Sequence, residues 1–117
     1  MIGNMYRYNA NVVRVYDGDT VWADIDLGFD VWLKNHPIRL SGIDTPELRG
    51  SEKEAGIVSR ARLIELLDSA DNQCVIKTTK GTQKGMYGRI LAEIFIEGEV
   101  NSLNQILLSE GLAEVYS

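Results

Sequence analysis

Residues 12–27 read Val12-Val13-Arg14-Val15-Tyr16-Asp17-Gly18-Asp19-Thr20-Val21-Trp22-Ala23-Asp24-Ile25-Asp26-Leu27. A β-branched and aromatic run ends at Asp17-Gly18, a pair that suits a tight hairpin turn. Beyond it Val21, Ala23, Ile25 and Leu27 alternate with Trp22, Asp24 and Asp26, a period of two that predicts a half-buried strand. Asp19 falls in phase with the buried set, where a carboxylate needs a partner.

Outward from this hairpin, Gly28 to Asp30 reads as a turn and Val31-Trp32-Leu33 resumes the strand. Lys34 to Pro37 breaks it, and Ile38 to Ile43 forms the next one. Thr45-Pro46 stops extended structure. Ser51-Glu52-Lys53-Glu54 then has the form of a capping box, opening a helix to about Ser69. Its expected apolar stripe is Ile57, Val58, Ala61, Ile64, Leu67 and Ala70. Val75 to Thr79 and Arg89 to Glu97 are two more strands, the second pointing Ile90, Ala92, Ile94 and Ile96 to one side. Lys80 to Gly88, with three glycines, reads as a loop between them. Asn101 to Glu110 is a short helix ended by Gly111, and Ala113 to Tyr116 a last short strand. The order implies an α+β, mainly β chain: a five-stranded OB-type barrel with two helices, in one domain spanning 1–117.

Composition bounds the function. Of 117 residues, 44% are hydrophobic and 25% charged, the balance of an ordinary globular protein. One cysteine, Cys74, excludes an internal disulfide and reads as a small buried hydrophobe. With one histidine, His36, expected as an exposed loop residue, no cysteine–histidine zinc site can form. Met1 to Tyr16 has no continuous apolar run, so the expectation is a cytoplasmic protein without membrane contact, suited to a bacterial or phage setting. The net charge of −5 opposes phosphate binding, yet Lys77, Lys80, Lys84 and Arg89 cluster with no acid among them.

Three segments concentrate chemistry: Asp17-Gly18-Asp19-Thr20, Arg39-Leu40-Ser41-Gly42-Ile43-Asp44-Thr45-Pro46-Glu47, and Tyr87-Gly88-Arg89. Carboxylates suit a hard divalent cation and guanidinium groups suit a phosphate, so one pocket holding both would bind a metal and a phosphodiester together. Each segment also has an ordinary reading. Asp17-Gly18 is a turn, Thr45-Pro46-Glu47 a helix start, and Arg39 with Asp44 a cross-strand ion pair. Trp22 and Trp32 read as barrel packing or edge aromatics rather than stacking platforms.

In this order the three segments resemble the signature of the staphylococcal nuclease (thermonuclease) family, and the resemblance runs from Val12 to about Tyr116. It implies that family's OB-type fold and calcium-dependent hydrolysis of DNA, RNA or both, leaving 3′-phosphates. Asp19 and Asp44 would be the calcium ligands, with the Thr45 carbonyl. Glu47 would hold the attacking water, acting as its general base or orienting it, while Arg39 and Arg89 grip the scissile phosphate. Asp17 would support the metal ligands. Tyr87, Lys84 and Tyr116 would contact the substrate, Lys84 standing in for the lysine that commonly precedes Tyr-Gly-Arg, where this chain has Met86. The expected substrate is single-stranded or unstructured nucleic acid and the expected state a monomer. The rival expectation is a non-catalytic OB-type module that binds nucleic acid or a protein.

Overall fold

The computed structural model describes residues 5–79 and 89–116. Strands β1 (Met5–Asp17), β2 (Thr20–Gly28) and β3 (Val31–Leu40) form a meander, followed by the two-residue β4 (Ile43–Asp44). A 3-10 turn at Gly50–Glu52 leads into helix α1 (Lys53–Asp68). Then come β5 (Gln73–Thr79), β6 (Ile90–Phe95), helix α2 (Leu103–Ser109) and β7 (Glu114–Val115). The barrel closes in the order β1-β2-β3-β6-β5, with β3 and β6 parallel and the other pairs antiparallel. This is the OB-type, five-stranded barrel with two helices that the order of elements predicts. Among the described residues no helix is long and apolar enough to cross a membrane.

The alternation in β2 does what its period requires. Val21, Ala23 and Ile25 are buried and meet Ile38, Leu40, Ile76 and Ile94 inside the barrel. Leu27 departs from the pattern. The β3 strand pairs with β6 only over Ile38–Leu40, so the β2–β3 hairpin projects beyond the barrel with Leu27, Phe29, Val31 and Trp32 exposed.

Lys34 to Pro37 does not break the strand, and His36 lies half-buried within β3 rather than in a loop. The ladder shifts register opposite Asp24, whose Oδ1 accepts the Asn35 N–H at 2.8 Å. Asn35 takes a φ of +50°, a left-handed conformation that asparagine tolerates and a bulge can use. Pro37 then rejoins the ladder opposite Trp22.

Helix α1 differs most from expectation. Its N-terminus has no side-chain cap, so the capping box does not form. The buried face is Gly56, Ser59, Leu63, Leu66 and Leu67, while Ile57, Val58 and Ile64 are exposed. Close backbone approach selects this face. Ser59 Oγ donates to the Leu112 carbonyl at 2.6 Å, and Gly56 lies against the Glu47 carbonyl.

Helix α2 is capped by Ser102, whose Oγ accepts the Gln105 N–H at 3.1 Å. From α2 the buried Asn104 side chain accepts from Ile94 N–H and donates to the Ser41 and Ala92 carbonyls at 2.8 and 3.2 Å. These bonds fix the turn between β3 and β4. On its other side, Tyr116 N–H donates to the Gly42 carbonyl at 2.9 Å.

Candidate active site

The β1–β2 turn sets the first part of the site. Asp17 Oδ1 accepts the Asp19 N–H at 3.1 Å, which tightens the Gly18-Asp19 turn. Gly18 is buried flush against Thr45: a Cβ there would lie 2.8 Å from Thr45 Oγ1 and 2.9 Å from its neighbouring carbons. Only glycine admits that approach, and it brings the turn onto the segment after β4.

Asp19 is 6% exposed and well partnered. Its Oδ2 accepts the Thr45 N–H at 3.0 Å and faces Arg39 Nη1 at 3.1 Å, while its Oδ1 accepts the Thr20 hydroxyl at 3.3 Å. Arg39 reaches the other way to Asp44 Oδ1, with Nη2 at 3.4 Å, and donates to the Leu40 carbonyl at 3.3 Å. The β4–β7 pairing brings up Tyr116, whose ring centroid lies 5.4 Å from Arg39 Cζ. Arg39 is thus held by two carboxylates, a carbonyl and an aromatic ring.

Thr45-Pro46-Glu47 starts no helix; it crosses the barrel end as an irregular segment. Its path is fixed from two sides. Glu47 N–H donates to Glu52 Oε1 at 2.9 Å, and Gly56 of α1 packs so closely that a Cβ would stand 2.3 Å from the Glu47 carbonyl oxygen. The Glu47 side chain stays exposed.

Asp19, Arg39, Asp44, Thr45, Glu47 and Arg89 all line one open cavity of about 820 Å³. Tyr116 stands beside it on Arg39. Lys84 and Tyr87 lie outside the described residues. Four further charged or aromatic side chains line the same cavity, Arg14, Tyr16, Trp22 and Arg49, none of which the sequence points to as a site residue; Trp22 reads there as packing or an edge aromatic. Their signal exists only after strand pairing, since Arg14 and Trp22 are opposite each other in the β1–β2 ladder.

The electrostatics are balanced but not neutralised. Four carboxylates (Asp17, Asp19, Asp44, Glu47) face four guanidinium groups (Arg14, Arg39, Arg49, Arg89) around the cavity. Burial, and next the adjacent Asp19, push the Asp17 carboxyl up to about 6. A cation bound nearby would oppose that rise.

The donors here fit a hard cation. Asp19 and Asp44 supply two carboxylates, and the buried Thr45 Oγ1 has no hydrogen-bond partner. Among the described residues no three Asp, Glu, His or Cys side chains converge for a metal. An ion at this place would therefore complete its shell with water and substrate oxygens, a mode that oxygen-seeking divalent cations use with phosphates.

Comparison with known proteins finds relatives over most of the chain. The family model described as staphylococcal nuclease homologue matches residues 37–117. The chain is similar to the thermonuclease of Staphylococcus hyicus, with 31% identity over 119 residues that cover 96% of this chain and 62% of that protein. It is similar to the endonuclease YncB of Bacillus subtilis, 33% identical over 110 residues, covering 92% of this chain and 47% of that protein. Protein MJ1439 of Methanocaldococcus jannaschii is 31% identical over 130 residues, covering 94% and 60% respectively. The chain thus spans from about half to under two thirds of these relatives' lengths.

Proposed function

The chain belongs to the staphylococcal nuclease family, and we propose on that premise that it is a metal-dependent nuclease acting at the Asp19–Arg39 cavity. The observation that carries the reading is the placement of Arg39. Its side chain is 13% exposed, its guanidinium is fixed between Asp19 and Asp44, and it lines a cavity also lined by Arg89 and Glu47. A surface ion pair has no need of such enclosure.

Phosphodiester hydrolysis asks a protein mainly for position and charge. Arg39 and Arg89 bind the non-bridging oxygens of the scissile phosphate, and the fork of each can engage two oxygens at once. Glu47, exposed on its rigid segment, orients a water and accepts its proton as the water oxygen bonds to phosphorus. The bond from phosphorus to the 5′ oxygen breaks, and that oxygen takes a proton from solvent, leaving a 3′-phosphate. Asp19, Asp44 and the Thr45 carbonyl would hold a calcium ion. When bound, it adds positive charge against the phosphoryl oxygens as bond order shifts.

Arg39 is held by Asp19, Asp44 and the Leu40 carbonyl before substrate arrives, which lowers the reorganisation cost of the reaction. Substrates are DNA, RNA or both, in single-stranded or unstructured form. The test is cleavage of an end-labelled oligonucleotide by Arg39→Ala, Glu47→Gln and Arg89→Ala proteins, with product ends identified by phosphatase sensitivity. Loss on the order of 10²-fold in each supports the reading. Undiminished cleavage in all three refutes it, and calcium-independent binding without cleavage by the unaltered protein points to a binding module instead.

A further inference from the structure

The cavity is larger than a phosphodiester group needs. Its volume of about 820 Å³ is that of a site enclosing a whole small ligand. Away from the charged corner it is walled by a cross-strand row, Arg14 on β1 opposite Trp22 on β2, and Trp22 opposite Pro37 on β3. The neighbouring row places Thr20 opposite Arg39. Trp22 and Thr20 are two residues apart, as are Pro37 and Arg39, so the rows share one face at a spacing of roughly 6.6 Å. That spacing is about one nucleotide step of an extended single strand.

Trp22 is half-buried on this wall, and Arg14 Cζ lies 5.3 Å from the centroid of its ring. The indole is anchored in a sheet and faces a cavity, unlike Trp32, which stands exposed on the projecting hairpin. We propose that Trp22 and Arg14 form a nucleotide subsite beside the reaction centre. Trp22 stacks the unpaired base next to the scissile phosphodiester, and Arg14 binds that nucleotide's phosphate. The proposal rests on the nuclease reading of the charged corner, which supplies the neighbouring phosphate.

Energetics favour the exchange this requires. An exposed cation–π contact is worth about two- to fivefold in an equilibrium, whereas stacking a base on an aromatic ring is worth about five- to 100-fold. A base can therefore displace Arg14 from the ring, and the phosphate it brings gives the guanidinium a new partner. A paired base cannot reach the indole without leaving its stack, so the subsite favours single strands.

The chain has two tryptophans, so Trp32→Phe leaves Trp22 as its sole indole reporter. In a Trp32→Phe, Glu47→Gln protein with calcium, a single-stranded thymidine octamer should quench the emission saturably, whereas inorganic polyphosphate should not. Adding Trp22→Leu should weaken octamer binding, read by anisotropy of an end-labelled octamer, by about five- to 100-fold. Trp22→Phe should recover most of that loss. Octamer binding with unchanged emission, or binding by Trp22→Leu within twofold, overturns the subsite while leaving the nuclease reading intact. An octamer neither bound nor cleaved by the unaltered protein overturns both.

Discussion

Arg39 and Arg62 each stand between two carboxylates, and the molecule uses them for different ends. Arg62 on α1 pairs with Glu65 one turn on, and its Nε and Nη2 donate to the two oxygens of Glu110 at 2.8 and 2.9 Å. Its side chain is 32% exposed, its glutamates 71% and 36%, and it does not line the Asp19–Arg39 cavity. The side chains of Arg39 and Asp19 are 13% and 8% exposed, so much of their hydration is lost. Similar partners thus give a screened staple between α1 and the end of α2 in one place, and a preorganised cationic corner in the other. Burial beside an open cavity separates the two, not the ion pairing itself.

Removing each arginine separates the two sites most. Arg39→Ala should lower cleavage on the order of 10²-fold or more. It should also destabilise the protein by about 3 kcal/mol, because Asp19 loses its buried counter-charge. Arg39→Lys keeps a charge but not the fork, and should recover more stability than activity. Denaturant melts beside initial cleavage rates check both. Equal activity losses from Arg62→Ala and Arg39→Ala would erase the distinction.

Next in size is Gly56→Ala. The new Cβ would meet a backbone carbonyl, that of Glu47, at 2.3 Å, so helix or segment must move. A stability loss of about 1–3 kcal/mol and a cleavage loss on the order of 10-fold are expected, since Glu47 moves with its backbone. Wild-type rates in a stably folded Gly56→Ala protein would show that this packing does not position Glu47.

That glycine also explains where the sequence misleads. Strand alternation is legible because a two-residue period leaves one choice of face, and Val21, Ala23 and Ile25 are all buried. Helix α1 offers a richer apolar stripe than the one it buries. Ile57 and Val58 are exposed because the opposite face must come within backbone distance of Glu47 and Leu112, where only Gly56 and Ser59 fit. Hydrophobicity does not register close approach. At the site, Asp19 is legible as a carboxylate in a buried phase, and Arg39 with Asp44 as an ion pair. Arg14 and Trp22 gain meaning only from their place across the ladder, and Asn35 only from the bulge that keeps β3 continuous.

The smallest effects belong to the surface arginine. Arg62→Ala should cost about 1 kcal/mol or less, with the difference shrinking in high salt. Its pH dependence has a definite sign. Arg62 holds the Glu110 carboxyl below its usual value of 4.5, so between the lowered pKa and 4.5 the unfolded chain binds more protons. The staple's contribution is present at neutral pH and fades as pH falls through that window. Melts of wild type and Arg62→Ala should converge in acid, and a gap that widens there would contradict this origin.

If the cavity at Asp19, Arg39 and Glu47 hydrolyses phosphodiesters with a bound cation, removing the cation must stop cleavage. The most direct measurement incubates the purified protein with end-labelled single-stranded DNA and RNA, once with calcium and once with chelator. Fragments ending in 3′-phosphate are expected with calcium and intact strands with chelator. Intact strands under both conditions, or equal cleavage in both, would contradict this reading.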